Sequence, residues 1–131
     1  MVYARRNVIG RLGSHRATIY ALLRIVAGVL FSFHGYQKLF GLFGASGPVP
    51  LLSQRGLAGI IEGLGGVCIA LGFFTSPVAF LASGQMAVAY FQAHLPRGPV
   101  PIENGGELAV LYCWVFLFIA ASGTGKWGLR A

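Results

Sequence analysis

The segment FHGYQKLFG, residues 33–41, ends a long apolar run that begins at Ile19. It contains His34 and Lys38, which are four residues apart and therefore share one face of a helix. Ionisable side chains at the end of a membrane-length segment are costly unless they have partners or reach the interface. The segment therefore predicts a membrane-spanning helix whose polar end needs partners from elsewhere in the chain.

The composition of the chain indicates a membrane protein with several spans. The 131 residues are 56% hydrophobic and 10% charged, whereas charged residues make up about 25% of a typical soluble protein. The apolar residues form segments near the roughly 20 residues that a helix needs to cross a bilayer. We predict an all-α fold, an integral membrane four-helix bundle with antiparallel spans at residues 18–43, 55–74, 76–94 and 104–122.

Basic residues lie mainly near the two ends of the chain, where they flank the predicted spans: Arg5, Arg6, Arg11, Arg16, Lys126 and Arg130. Cytoplasmic segments of membrane proteins are rich in Lys and Arg, so both termini are predicted to be cytoplasmic. The chain then consists of a basic arm at 1–17, a domain of spans at 18–127 and a short tail at 128–131. We expect the net charge of +7 to attract anionic membrane lipids and not nucleic acid. Arg24, about one turn inside the first span, is expected to extend back to the headgroups.

The second span contains a row of glycines at steps of three and four residues, namely Gly56, Gly59, Gly63 and Gly66. These steps keep the four residues on one helix face, and small residues let neighbouring helices approach closely. We predict that this face packs against a helix of the same chain or of another subunit. We expect the chain to associate with other membrane protein subunits or with copies of itself.

Antiparallel spans with cytoplasmic termini bring four helix ends together on the outer side of the membrane. These ends carry the side chains that we predict to form a polar pocket: His34, Lys38, Glu62, Tyr90, His94 and Glu107. Glu62 is predicted to lie about 10 Å inside its span. A carboxylate at that depth is protonated or paired, and Lys38 is the candidate partner. The pocket either binds a ligand or only braces the bundle.

Simpler roles are open for several of these residues. An ion pair between Lys38 and Glu62 would fix the register of the bundle, and His94 would be an interfacial residue at a helix end. Asn104 and Glu107 have the spacing of a capping box at the start of the fourth helix. The Glu-x-x-His spacing of carboxylate-bridged di-metal bundles is absent, so we predict no metal site.

Short motifs occur in a recognisable order along the chain. They are HGxxKLFG at 34–41, IExxGG at 61–66, AYF at 89–91, NGGExA at 104–109 and GxGKW at 123–127. In this order, the motifs resemble those of the DoxX family, small four-helix bacterial membrane proteins related to DoxD. The resemblance covers residues 18–129. One departure is the ending Gly128-Leu129-Arg130, where family members often have a Ser-Leu-Asp-like tail.

The resemblance implies a redox setting for this chain. DoxD is a membrane subunit of a thiosulfate:quinone oxidoreductase, and other members are linked to quinone and thiol-oxidant stress. The resemblance therefore implies a multi-pass protein of the bacterial inner membrane. On this basis we expect a quinone-linked component of a membrane oxidoreductase system, with quinone bound by the polar residues named above. The chain has no intrinsic flavin, haem or iron–sulfur motif, so a partner would supply the electrons.

Two other functions remain open from the sequence. A non-catalytic accessory subunit of a larger membrane complex suits a small, glycine-rich chain with short loops. A small-molecule or ion carrier would need polar residues through both leaflets, and the cytoplasmic half of the predicted bundle has few of them.

Overall fold

The computed structural model describes residues 8–130, and within this range the chain forms helices and no strands. The helices are α1 Val8–Leu12, α2 Arg16–Phe40, α3 Gln54–Leu71, α4 Thr75–Ala89, α5 Pro101–Asn104 and α6 Glu107–Ser122. The prediction of an all-α fold is confirmed. Residues 1–7 of the predicted basic arm and residue 131 of the predicted tail lie outside the described residues.

The two longest helices, α2 and α3, both end at a glycine. α2 stops at Phe40 because Gly41 adopts a left-handed conformation, with φ of 66°. α3 stops at Leu71 because Gly72 does the same, with φ of 71°. Glycine adopts this conformation without steric cost, and helices commonly end in this way. Both helices therefore end slightly before the predicted ends of their spans.

The helical segment that contains α4 continues beyond Ala89. The chain forms a π-helical turn at Tyr90–His94 and then a 3-10 turn at Leu95–Arg97. π-helical turns are rare in proteins, and those that occur often lie at functional sites. The continuation carries the third helical segment to the predicted end of the span at 76–94.

The fourth predicted span, 104–122, corresponds to α6, except that its first residue, Asn104, ends the short helix α5. Gly105 has a φ of 76° and separates the two helices, so the long helix begins at Glu107. The predicted capping box of Asn104 and Glu107 is therefore wrong. Asn104 ends α5, and its Oδ1 accepts a hydrogen bond from the backbone N–H of Gly106 at 2.8 Å.

The surface of the described residues is apolar enough to lie in lipid. Two helical stretches, Val8–Phe40 and Gln54–Leu71, are long and apolar enough to cross a membrane, and α6 is apolar but shorter. Large apolar side chains point outward, among them Leu64 and Trp114, which are 65% and 66% exposed. Soluble monomers rarely expose large apolar patches, so this surface is typical of contact with lipid chains.

α2 packs on α3 through the glycine row. A Cβ atom on Gly66 would lie 2.5 Å from the carbonyl oxygen of Gly28 on α2, so the two backbones are in direct contact. Gly59 and Gly63 lie against side chains of α2, whereas Gly56 lies against the backbone of the loop that precedes α3. Three members of the row therefore face α2.

The core joins the α2/α3 pair to α4 and α6, which pack along each other. Phe31 on α2 is fully buried, and its ring lies 4.6 Å from that of Phe116 and 5.5 Å from that of Tyr112 on α6, measured between centroids. Aromatic pairs in this range add to the stabilisation that burial provides. This cluster holds α6 against α2 below the candidate site.

The Arg24 guanidinium is fully buried. Its Nη1 donates to the carbonyl oxygens of Ile69 at 2.9 Å and Ala70 at 3.1 Å. Its Nη2 donates to the carbonyl oxygens of Lys126 at 2.8 Å and Trp127 at 3.0 Å. The guanidinium therefore does not face solvent, because carbonyls at the end of α3 and after α6 bind it; whether this level matches the lipid headgroups stays a prediction.

Candidate functional site

The close approach of α2 and α3 brings Lys38 and Glu62 into an ion pair, the one ion pair within residues 8–130. Lys38 Nζ lies 2.5 Å from Glu62 Oε2, and the Glu62 side chain is 2% exposed against 22% for Lys38. Gly59 and Gly63 near Glu62 have no side chains to hold the two helices apart. A buried carboxylate without its cation is costly, so the pair ties α2 to α3 at this level.

Gln85 on α4 provides the second contact of the Glu62 carboxylate. Gln85 Nε2 donates to Glu62 Oε1 at 3.1 Å, so each carboxylate oxygen has a different partner. Gln85 Oε1 is buried and has no hydrogen-bond partner among the described residues. Buried polar atoms normally have a donor or acceptor, which in such cases is a water or a ligand. The polar centre therefore spans three helix surfaces and still has one unsatisfied acceptor.

His34 lies one helical turn before Lys38 on the same face of α2. Its half-buried imidazole packs edge-on against Tyr112, with ring centroids 6.0 Å apart. Within residues 8–130, the imidazole takes part in no hydrogen bond. A neutral imidazole has one donor and one acceptor nitrogen, so His34 keeps both for a ligand or water.

These side chains line a cavity of about 1160 Å³ between the four long helices. Apolar residues from each of these helices form most of its walls, among them Phe31, Ile61, Met86 and Leu108. Leu57 on α3 and Phe80 on α4 line the cavity and are also 57% and 65% exposed. The cavity therefore opens sideways between α3 and α4, on the surface that suits lipid.

Tyr90 and His94 belong mainly to a second polar cluster beside the cavity. His94 Nδ1 lies 3.2 Å from the carbonyl oxygen of Asn104, and the rings of Tyr90 and His94 stack at 6.4 Å. The Asn104 amide donates to the Tyr90 hydroxyl at 3.3 Å and to the carbonyl oxygen of Gly98 at 2.8 Å. His94 also lines the cavity, and Tyr90 does not. The cluster joins the π-helical turn to α5.

Glu107 lies apart from both clusters. It is exposed, does not line the cavity, and makes no ion pair within the described residues. Leu108 and Tyr112, four residues apart, present the cavity face of α6. Glu107 precedes Leu108 by one residue, which is a rotation of about 100° around the helix. Of the six predicted residues, the structure thus brings four to the cavity: His34, Lys38, Glu62 and His94.

The DoxX family profile matches residues 19–95, which include most of α2 and all of α3, α4 and the π-helical turn. This chain belongs to the DoxX family. A Haemophilus influenzae protein that bears the name "Uncharacterized protein" is 39% identical over 130 residues, covering 92% of this chain and 95% of that relative. No solved structure matches the DoxX chain.

Several residues that line the cavity of the DoxX protein were not predicted from the sequence. They are Gln54, Arg55, Gln85, Gln92 and Arg97. Gln85 could have been noticed as a polar residue in the middle of an apolar span, because such residues commonly bond across helices. The other four lie at helix ends, where polar residues are ordinary and carry no signal of their own.

The DoxX cavity combines an apolar volume with hydrogen-bonding groups on one side. An ammonium group has three N–H donors, and one Lys38 N–H is used by Glu62 among the described residues. Within residues 8–130, no three His, Cys, Asp and Glu side chains come close enough to hold a metal ion. Such an arrangement suits an apolar molecule with a polar head that accepts hydrogen bonds.

Proposed function

We propose that this DoxX protein is a quinone-binding component of a membrane oxidoreductase system. It crosses the bacterial inner membrane four times, with both termini cytoplasmic and the cavity in the outer leaflet. The observation that carries the proposal is the Lys38–Glu62 pair in an apolar cavity that opens between α3 and α4. The DoxX membership adds a membrane setting.

The lengths and charges of the helices support four spans in this orientation. Thr75–Ala89 and Tyr90–His94 have 15 and 5 residues, and a span needs roughly 20. α6 is apolar, with 16 residues. Exposed basic residues lie where α2 begins and where α6 ends, namely Arg11, Arg16, Lys126 and Arg130. These four outnumber the three basic residues near the opposite ends of the helices, Lys38, Arg55 and Arg97, which favours the cytoplasmic side for the more basic end.

The cavity offers the groups that a quinone ring needs. Each quinone carbonyl accepts hydrogen bonds, and the free N–H donors of Lys38 and the His34 imidazole are available for this. The isoprenoid chain fits the apolar opening between Leu57 and Phe80. Glu62 is the carboxylate of the cavity and is therefore the group for proton exchange.

The redox reaction needs a source of electrons outside this chain. Reduction of a quinone to a quinol consumes two electrons and two protons. In this proposal, a partner subunit or a soluble reductant donates the electrons, and the Glu62 side chain passes protons towards the quinone oxygen. The DoxX chain itself binds and orients the quinone.

An accessory role without catalysis is the competing function, and the ion pair gives it specific support. Glu62 is almost fully buried and fully paired, as expected of a group that holds helices in register. In that role the protein would stabilise a larger membrane complex. Removal of the Glu62 charge would weaken quinone binding if the first function is correct, and it would lower the stability of the protein if the accessory role is correct.

The test is a titration of the purified, detergent-solubilised protein with decylubiquinone, followed through the quenching of tryptophan fluorescence. Glu62→Gln removes the charge that holds the Lys38 ammonium in position, so we expect it to weaken quinone binding at least tenfold while the melting temperature of the protein changes little. Leu64→Ala on the lipid-facing side of α3 is the matched control and should bind like the original chain. A loss of melting temperature in Glu62→Gln without weaker quinone binding would favour the accessory role.

A further inference from the structure

We propose that the mouth of the cavity contains a separate binding site for the anionic headgroup of a membrane phospholipid, formed by Arg55 and Arg97. This site is additional to the quinone site and does not depend on it. Its ligand is a lipid with a phosphate-linked, negatively charged head and acyl chains that lie along the apolar cavity walls.

The charges along the cavity are unbalanced. Lys38, Arg55 and Arg97 line it against a single carboxylate, that of Glu62. Glu62 is already paired with Lys38. Within residues 8–130, the guanidinium groups of Arg55 and Arg97 take part in no ion pair and no hydrogen bond. Two positive charges are therefore left for an anion from outside the chain.

The remaining carboxylates do not neutralise these arginines. The whole chain has three acidic residues, and the other two are Glu103 and Glu107. Neither lines the cavity, and neither forms an ion pair among the described residues. Neither carboxylate is therefore paired with Arg55 or Arg97 among the described residues.

A hydrogen bond brings the segments that carry the two arginines together. Gln54 Nε2 donates to Gln92 Oε1, which joins the first residue of α3 to the π-helical turn after α4. Arg55 follows Gln54 directly, and Arg97 closes the 3-10 turn that follows the π-helical turn. All four side chains line the cavity. Arg55 from α3 and Arg97 from the 3-10 turn could therefore both contact a headgroup at this point.

The chemistry of the two cations favours a phosphate. The planar guanidinium forms paired hydrogen bonds to phosphate oxygens and is the usual choice for recognising such groups. Both arginines are exposed, so a headgroup can reach them without a rearrangement of the helices.

The walls next to the arginines favour a lipid over free phosphate. Exposed apolar side chains continue from the mouth along α3 and α4, namely Leu57, Phe80, Leu81 and Val88. Phe80 and Val88 are eight residues apart on α4, which is about 12 Å along the helix. This length of wall is suited to part of an acyl chain.

The quinone tail and the lipid chains would share the apolar walls at Leu57 and Phe80, but the two polar heads occupy different parts of the cavity. Its volume is about 1160 Å³, whereas a usual small-molecule pocket measures about 300–1,000 Å³. The quinone ring would lie at Lys38 and Glu62, and the lipid phosphate would lie at the mouth. The two sites can therefore be tested separately.

The experiment is native mass spectrometry of the full-length protein in detergent, with added dioleoylphosphatidylglycerol or neutral dioleoylphosphatidylcholine. We expect the unsubstituted protein to bind the anionic lipid at least fivefold more tightly than the neutral lipid. The double variant Arg55→Gln/Arg97→Gln should lose this preference. The matched control is Arg11→Gln/Arg16→Gln, which removes the same charge at the other end of the protein and should keep most of the preference.

Several results would overturn this site. One is equal affinity of the original chain for the two lipids, and another is an unchanged preference in Arg55→Gln/Arg97→Gln. A third is displacement of the anionic lipid by inorganic phosphate at millimolar concentration, which would show that the site recognises phosphate and not a lipid. If the double variant does not fold, Arg97→Gln alone is used, and at least a twofold loss of preference is expected.

The outcome is separable from that of the quinone proposal. Glu62→Gln should weaken decylubiquinone binding and leave the preference for phosphatidylglycerol intact. Failure of the lipid site alone would appear as normal quinone binding by a protein that does not distinguish the two lipids.

Discussion

Gly28 on α2 and Gly66 on α3 lie backbone to backbone: a Cβ atom on Gly28 would come within 2.6 Å of the Gly66 carbonyl oxygen. Backbone atoms cannot rotate away as a side chain does. We expect Gly66→Ala to push α2 from α3 and to lower the free energy of unfolding by about 1–3 kcal/mol, the usual cost of overpacking. Thermal unfolding in detergent measures this.

Gly84 on α4 is the control for the glycine contact. A Cβ atom there would meet no atom within 4 Å. We expect Gly84→Ala to be neutral or to stabilise the protein slightly, because alanine is a better helix former than glycine. Equal melting temperatures for Gly66→Ala and Gly84→Ala would contradict the close packing of α2 on α3.

The Lys38–Glu62 pair predicts an asymmetry between its two members. Lys38→Met leaves the nearly buried Glu62 carboxylate without its cation, and we expect a loss of about 3–5 kcal/mol. Glu62→Gln should cost less, because Lys38 is partly exposed and its ammonium can turn to water. The double variant should be more stable than Lys38→Met alone. The three melting temperatures together test the pair, and a Glu62→Gln variant less stable than Lys38→Met would refute the asymmetry.

The hydrogen bonds of Arg24 predict that α2 holds the segment after α6 in place. Arg24→Met removes a donor from four backbone carbonyls, of which Ile69 alone keeps another, the backbone N–H of Gly72, and we expect a loss of at least about 3 kcal/mol. Trypsin should also cleave after Lys126 faster in the variant, because Arg24 holds the Lys126 carbonyl. Arg11→Gln, on an exposed side chain, is the control and should keep the original cleavage rate.

Substitutions at Asn104 and Glu107 are expected to affect stability very differently, although the two residues are only three positions apart. Asn104 is buried and its amide group makes three hydrogen bonds, so Asn104→Leu should destabilise the protein by about 2 kcal/mol or more. Glu107→Gln, at an exposed position, should change neither the melting temperature nor decylubiquinone binding. Weaker quinone binding in Glu107→Gln would return Glu107 to the candidate site.

The contact of Lys38 with Glu62 could be anticipated because both residues are rare ionisable groups near one end of consecutive apolar segments. Costly groups in an apolar setting have few available partners. Their positions in the sequence were therefore enough to predict the ion pair. The all-α class followed in the same way, from segment length and composition.

The partners of Arg24 and the exact start of α6 could not be anticipated. Arg24 binds backbone carbonyls, which every residue has and no sequence pattern marks. The start of α6 depends on the positive φ of Gly105, and Asn104 with Glu107 gave a false capping signal there. Gln85 reaches Glu62 only because α4 lies beside α3, and this placement is a property of the tertiary packing.

The Arg24 contacts also bear on the order in which the protein assembles. Arg24 precedes all four of its acceptor residues in the sequence, so α2 is synthesised before any of them. During insertion, the guanidinium therefore enters the bilayer region before the end of α3 and the segment after α6 have been made. α2 is expected to stay tilted or shallow, with its cation at the aqueous boundary, until the segment after α6 arrives and draws it inward.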